Sequence, residues 1–407
     1  MNGEENKTTA VVPATADKSV VAAKEESYWA LVASRYKLIK RILLIALILF
    51  IVFFMIFFSR AFTYDSLFSF FKDLQSVAAF VPSDYQTVTS TYHEGEETVL
   101  AYRGGVAFVN RKGIEIYSPD GKRLLDVEEG FAAPRAISSR KYLLAFDQGG
   151  SSFTVTSAYS KLYSGKTDFP IYGAALADSG HFALITGSDT TLSTVLLYDS
   201  NFNLIQRFDR ASATVSVAIS ANGKRIALLG AAAKEGKAYT KLDVFHLGES
   251  EAENSVLLEG EVPLCVGFTD NRHVAFLTDT ALTFADIDLE WKDRYLLNDR
   301  AIVDFTVNAD GATLALEEDA LRAEHTVLAF DDSGKKMLET TFIGDMKAID
   351  IKEKQVFLLF ADRVVRYDCK NAAERVYVFE GEARDLFAVS EEGVRVIYPA
   401  KAEYLEP

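Results

Sequence analysis

Cysteine is almost missing from this chain: two residues, Cys265 and Cys369, in 407. They lie far apart, in different copies of the repeat described below, so two unpaired thiols are expected, the first a small core residue. No CxxC pair or His/Cys cluster occurs, which argues against a zinc site. The histidines are also few: His93, His181, His246, His273 and His325. His181 and His273 fall at equivalent turn-to-strand positions and read as polar surface sites. With only 8 Pro and 24 Gly, the chain is neither fibrous nor of low complexity. It lacks a G-x-S-x-G elbow, an HExxH helix and a P-loop. Positive charge is scarce as well. The formal net charge is -15. Residues 1–60 carry eight Lys/Arg against five Asp/Glu, so residues 61–407 hold -18. A field of that sign repels nucleic acid.

Long apolar runs are absent with one exception. Residues 42–58, ILLIALILFIVFFMIFF, contain no polar side chain. At 1.5 Å per residue they span about 25 Å, and Leu38, Ile39, Ala61 and Phe62 lengthen the run toward the ~30 Å of a hydrocarbon core. Arg35, Lys37, Lys40 and Arg41 crowd the N-terminal flank, whereas only Arg60 and Lys72 follow. By the positive-inside rule the N-terminus is expected in the cytoplasm. FFSRAF after the run lacks an A-x-A cleavage pattern, so an uncleaved signal anchor is expected. The resulting layout is a cytoplasmic tail over 1–37, a single transmembrane segment over 38–60 and an amphipathic stalk helix over 61–83. An extracytoplasmic domain over 84–407 follows.

In that last region helical periodicity gives way to alternation. IEIYSPDGKRLLDV (114–127), VLLYDSNFNLIQRFD (195–209) and VLAFDDSGKKMLETTF (327–342) are the same hairpin. A second hairpin precedes it, as in VSVAISANGKRIALLG (215–230) and FTVNADGATLAL (305–316). The turns ANG, ADG, DSG and EEG contain residues that tolerate positive φ. Each unit therefore holds four short strands. A small or short residue recurs in the first strand: Ala101, Ala136, Ala175, Ala218, Gly267, Thr306, Asp350 and Ala388, at an average spacing of 41. Four strands per repeat of that length, with one face of the first strand stripped of bulk, describe a β-propeller blade. The expected fold is all-β, a single propeller of eight four-stranded blades, with seven as the alternative. The last unit supplies two strands in RDLFAVSEEGVRVIYP (384–399), and QTVTSTY (86–92) stands unpartnered before the first. Pairing between the two ends would close the ring.

Tyr117-Ser-Pro-Asp-Gly-Lys and Phe330-Asp-Asp-Ser-Gly-Lys resemble the turns of quinoprotein-like and YVTN-type propellers. The whole layout, over about residues 35–400, resembles a bacterial family of unknown function, mostly from Gram-positive anaerobes. Its members carry a basic tail, one membrane helix and an extracytoplasmic propeller. That resemblance implies location and fold but no activity. Trp29 and Trp291 are the two tryptophans and no Trp-Asp pair occurs, so the chain does not look like a WD-repeat protein. The recurrent Trp-docking motifs of quinone-dependent enzymes are missing too, and no cofactor is expected.

Asp304 and Asp350 fall on the expected innermost strands of adjacent blades, with Arg135 and Arg384 nearby in the pattern. Facing the channel, they would bind a cation or a polar ligand, or work as a carboxylate pair; lining a wet channel beside arginine is the plainer reading. The insertion AAAKEGKAYT (231–240) swells one unit to 49 residues and reads as a hairpin extension, with recognition as the alternative. The leading functional expectation is a non-enzymatic binding or scaffolding module, held to the membrane through 38–60, for an envelope protein or glycan. An envelope polysaccharide hydrolase or lyase, and a transmembrane sensor, are the alternatives.

Overall fold

The computed structural model describes residues 35–50, 85–91, 98–399 and 401–406. Residues 1–63 and 64–407 form separate compact units. In the first, residues 35–50 are α-helical, about 24 Å long, with exposed apolar side chains. Among the described residues no helix is long and apolar enough to cross a membrane. Residues 51–60 of the expected span, the stalk at 61–83 and the tail before residue 35 lie outside the described residues.

The second unit is the expected propeller, with eight blades. Eight four-stranded antiparallel sheets succeed one another along the chain. Blades 1 to 7 are formed by residues 98–128, 134–166, 171–210, 213–259, 263–296, 302–343 and 346–378. Blade 8 takes three strands from 385–405 and its outermost strand, Val88–Thr89, from the beginning of the domain. The eight residues after 399 thus supply a strand, Lys401–Leu405, that the sequence pattern alone does not reveal. All eight small-residue positions lie on the innermost strands.

Alternation explains the packing. Second strands such as Phe182–Thr186 and Gln355–Phe360 are buried throughout because both faces meet a neighbouring blade. Outer strands such as Ala373–Val378 stay exposed. The apolar side chains gather into eight clusters, each between one blade and the next. The innermost strands come closest together. A Cβ added to Gly267 would sit 2.6 Å from Cγ1 of Val307 on the next blade.

The seam between blades 8 and 1 buries the smallest cluster, Val88 with Val106, Phe108, Tyr117, Ile397 and Ala402. Polar contacts reinforce it. Arg395 of blade 8 is fully buried and donates from Nη1 to the Gln86 carbonyl (3.0 Å) and from Nη2 to the Pro119 carbonyl of blade 1 (3.1 Å). Glu115 of blade 1, also fully buried, accepts from Ser90 Oγ (2.6 Å), the Thr91 amide (3.1 Å), Thr91 Oγ1 and Tyr117 Oη (3.1 Å). Tyr85 stacks on Tyr404, 3.9 Å between ring centres. One guanidinium and one carboxylate thus grip the closing strand from its two sides. Truncating Arg395 removes a donor from the Gln86 carbonyl and one of the two donors to the Pro119 carbonyl, which also accepts from the Gln86 amide (3.0 Å), and empties a fully buried site in the seam. Arg395→Ala is expected to lower the unfolding free energy by about 2–4 kcal/mol in urea titrations. Arg395→Lys, lacking the two-pronged reach, should restore only part of it.

Candidate functional site

Each innermost strand starts at one end of the ring, here the upper end, and turns into the second strand at the lower end. The lower turns are tight. Arg103 and Gly104 have φ of 53° and 75°, and Glu353 and Lys354 have 47° and 72°, the paired positive values of two-residue hairpins. These turns frame a cavity of about 1050 Å³ at the lower channel mouth, whose wall includes Tyr85, Arg103, Arg140, Asp310, Asp350 and Lys352. Two ion pairs tie neighbouring turns across it: Arg140 Nε to Asp178 Oδ2 at 2.6 Å, and Lys352 Nζ to Asp310 Oδ2 at 2.9 Å.

Adjacent innermost strands are not joined by a backbone ladder. Side chains bridge them instead. Asp304 Oδ2 accepts from the Ile349 amide (2.8 Å) and Asp350 Oδ2 from the Ala388 amide (2.8 Å), each on the following blade. Ser216 Oγ accepts from the Val266 amide (3.1 Å), and Thr306 Oγ1 donates to the Ile349 carbonyl (2.9 Å). The two aspartates therefore act first as struts between blades 6, 7 and 8.

Burial raises the Asp304 carboxyl above the usual range, opposed by hydrogen bonds from Ile349 and Phe305 amides. Burial pushes Asp350 up to about 6, against hydrogen bonds from Ala388 and Ile351 and with help from the charges of Asp385 and Asp310. Asp385, the first residue of the blade 8 inner strand, is raised by its crowded surroundings and then by Asp304. Asp304, Asp350 and Asp385 thus lie on the inner strands of three consecutive blades, Asp350 toward the lower end and the other two toward the upper. Asp385 carries no glycine, proline or turn signature, and only its register, three before Ala388, could have located it.

The four residues singled out in the sequence do not converge. Asp350 lines the lower cavity, whereas Asp304, Arg135 and Arg384 are not part of its wall. Arg135 is exposed on the inner strand of blade 2 and donates from Nε to Gln148 Oε1 at 2.9 Å. Arg384 is exposed just ahead of the blade 8 inner strand, its amide bonded to the Ile397 carbonyl (2.8 Å). Neither makes an ion pair with the aspartates among the described residues.

A feature with no mark in the composition sits at the upper end. Five inner strands, in blades 3 to 7, shift register at the same place. The extra residue is Tyr172, Val215, Leu264, Val303 or Lys347, always three before the small residue. A bulge re-aims its side chain out of the pleat. Tyr172, Val215 and Leu264 end up 54%, 47% and 36% exposed on three successive blades.

Residues 81–406 match a family of unknown function. The chain belongs to that family, DUF5711. No curated protein matches the sequence. In fold this DUF5711 chain is similar to the WD40 domain of Neurospora crassa Pan2, at 12% identity over 67% of this chain and 87% of that one, TM-score 0.46. It is also similar to a eukaryotic initiation factor, at 11% over 76% and 83%, TM-score 0.52. Kuenenia stuttgartiensis hydrazine synthase matches at 11% over 66% and 92%, TM-score 0.45. At 11% identity the likeness to the initiation factor speaks to the fold alone.

The remaining polar candidates of the DUF5711 ring have structural partners. His273 Nδ1 lies 2.8 Å from Asp270 Oδ2 and His181 Nδ1 lies 3.0 Å from Ser179 Oγ. Cys265 and Cys369 are both unpaired. Burial raises both thiols, that of Cys369 to about 11, so neither is an activated nucleophile. Among the described residues no group of three or more His, Cys, Asp or Glu could hold a metal ion. The insertion at 231–240 is a regular extension of the hairpin Arg225–Lys234 with Lys237–His246.

Asp350 has a measurable signature. Its folded pKa of about 6 exceeds an unfolded value near 3.9, so the charged form opposes folding. The contribution of Asp350 to stability is greatest below pH ~4 and is lost as pH rises through ~6. Relative to Asp350→Asn, the unfolding free energy of the wild type should drop by about 2–3 kcal/mol between those limits, whatever the constant offset between the two proteins. Urea titrations across that range measure it, and parallel curves would refute the assignment.

Proposed function

We propose that this protein is a membrane-anchored, extracytoplasmic binding module that holds a protein of the bacterial envelope on the upper end of its propeller. The observation that carries this reading is the apolar side chains left exposed there. Beside Tyr172, Val215 and Leu264, the upper loops and strand ends expose Leu192, Val262, Leu296 and Leu321, the last at 99%. Monomer surfaces seldom gather large apolar side chains at one end, and such gatherings mark interaction sites. Loops on a rigid ring are where propellers vary without disturbing the core.

The enzyme alternative has weaker support. Asp304 and Asp350 each spend an oxygen on the next blade's backbone, and they sit at different positions of their strands relative to the small residue. A pair working as acid and base would share one substrate pocket.

The anchored topology is supported by the charge-free run at 42–58 and by its basic N-terminal flank. Alkaline phosphatase fused after residue 407 should be active and a fluorescent protein at the same place dark; the reverse pattern would put the ring in the cytosol. Binding is tested with a photo-crosslinking amino acid introduced at Leu321 on the upper end or at Leu204 on the lower. One protein should be captured from Leu321 in the native host and not from Leu204. Equal capture from both would count against the reading.

A further inference from the structure

The upper mouth of the channel is two-sided. On blades 3, 4 and 5 the bulges present Tyr172, Val215 and Leu264. Tyr172 leans over Gly187, where an added Cβ would meet its hydroxyl at 3.3 Å, so the ring is laid across the surface rather than packed in a core. On blades 6 and 7 the bulge residues are Val303 and Lys347, and two carboxylates join this end: Asp304, next to Val303, and Asp385, at the corresponding place on blade 8. Asp304 spends one oxygen on Ile349, and Asp385 accepts from the Leu386 amide at 2.8 Å. Neither is in an ion pair among the described residues. Lys347, the bulge residue of blade 7, is already taken by Asp345 at 2.6 Å. Asp304 is among the charges that raise the Asp385 carboxyl, after burial.

We propose that this mouth receives a polypeptide segment of a partner protein that sets an apolar side chain against Tyr172, Val215 and Leu264 and a lysine or arginine against Asp304 and Asp385. The inference rests on the binding-module reading and names its occupant. Charge decides the class. A second copy of this ring, carrying -18 over residues 61–407, meets like charge at the mouth, and an anionic bilayer does the same. A glycan would leave Val215 and Leu264 unsatisfied. An ammonium or guanidinium relieves the repulsion between the two carboxylates, and its aliphatic stem suits the apolar side.

The full-length chain in detergent micelles, panned against a phage-displayed library of random peptides, tests this. Enriched peptides should combine a large apolar residue with Lys or Arg. Their affinity should fall about tenfold or more for Tyr172→Ser with Leu264→Ser, separately for Asp385→Asn, and for the unchanged chain in high salt. All three side chains are exposed, and unchanged thermal unfolding of the variants confirms that the ring persists. Enrichment of acidic peptides, or of peptides indifferent to both variants, overturns the proposal, as does the absence of any enriched peptide. If those variants leave capture from Leu321 intact, the binding module stands and this occupant falls. If Leu321 captures nothing, the reading beneath it falls as well.

Discussion

The taper between neighbouring sheets governs this ring. Eight twisted sheets meet around one axis only where the strands nearest that axis stay thin on the faces that converge. Gly267 is the limiting case, since even a methyl group would strike Val307. Away from the axis the sheets diverge, and the second strands fill the widening gap with Phe, Leu, Ile and Val on both faces. One geometric demand thus explains both the small-residue periodicity and the unbroken apolar runs that follow it.

A second consequence follows from the same geometry. Strands around the axis are neighbours without being partners, so their exposed backbone groups need other ligands. Ser216, Asp304, Thr306 and Asp350 answer that need. A hydroxyl does so without a charge to desolvate. An aspartate at Asp350 carries a charge into a crowded place, where burial outweighs its hydrogen bonds and raises its pKa. Serine or threonine would serve as a strut at lower cost. The strut role alone therefore does not call for a carboxylate at these positions. The ring's closure shows the opposite balance. Arg395 and Glu115 are fully buried, Glu115 among hydroxyl and amide donors and Arg395 with both terminal nitrogens on backbone carbonyls and only its Nε unmet, and they add polar specificity to the smallest of the eight apolar seams.

Architecture was legible in the sequence because it is written in periods. The small residue every 41 positions located all eight inner strands, and the unpartnered stretch at 86–92 pointed to the closing pair, Val88 with Ala402 and Thr89 with Lys401. What escaped is what register alone decides. The strand Lys401–Leu405, KAEYL, is half polar and has no following strand in sequence to complete the repeat's second hairpin. The bulges at Tyr172, Val215 and Leu264 add one residue to a ladder without altering composition, and a single slipped residue changes which way a side chain points. Arg135 and Arg384 were singled out because they neighbour inner-strand positions; both are exposed, and Arg135 pairs with Gln148. Asp385 was invisible for the converse reason: an acidic residue beside a strand start looks like solvated surface.

The two ends of the channel differ in how fully their polar groups are paired, and that difference is what sets the proposed binding end apart. At the lower mouth Arg140–Asp178 and Lys352–Asp310 stitch neighbouring turns together, and Tyr85, near where the chain joins the ring, takes part in the wall. Two of the acidic side chains there are matched by these pairs, and Asp350 by backbone amides, so an incoming ligand would have to displace contacts already made. At the upper mouth the bulged residues face solvent on one side and Asp304 and Asp385 lack counter-ions on the other. Leaving apolar area wet and like charges close together opposes folding, and nothing in the ring's geometry requires either, because the taper constrains only the faces between blades. An arrangement that folding does not need and works against is best explained by binding, where the same apolar area and the same carboxylates contribute once a complementary segment covers them.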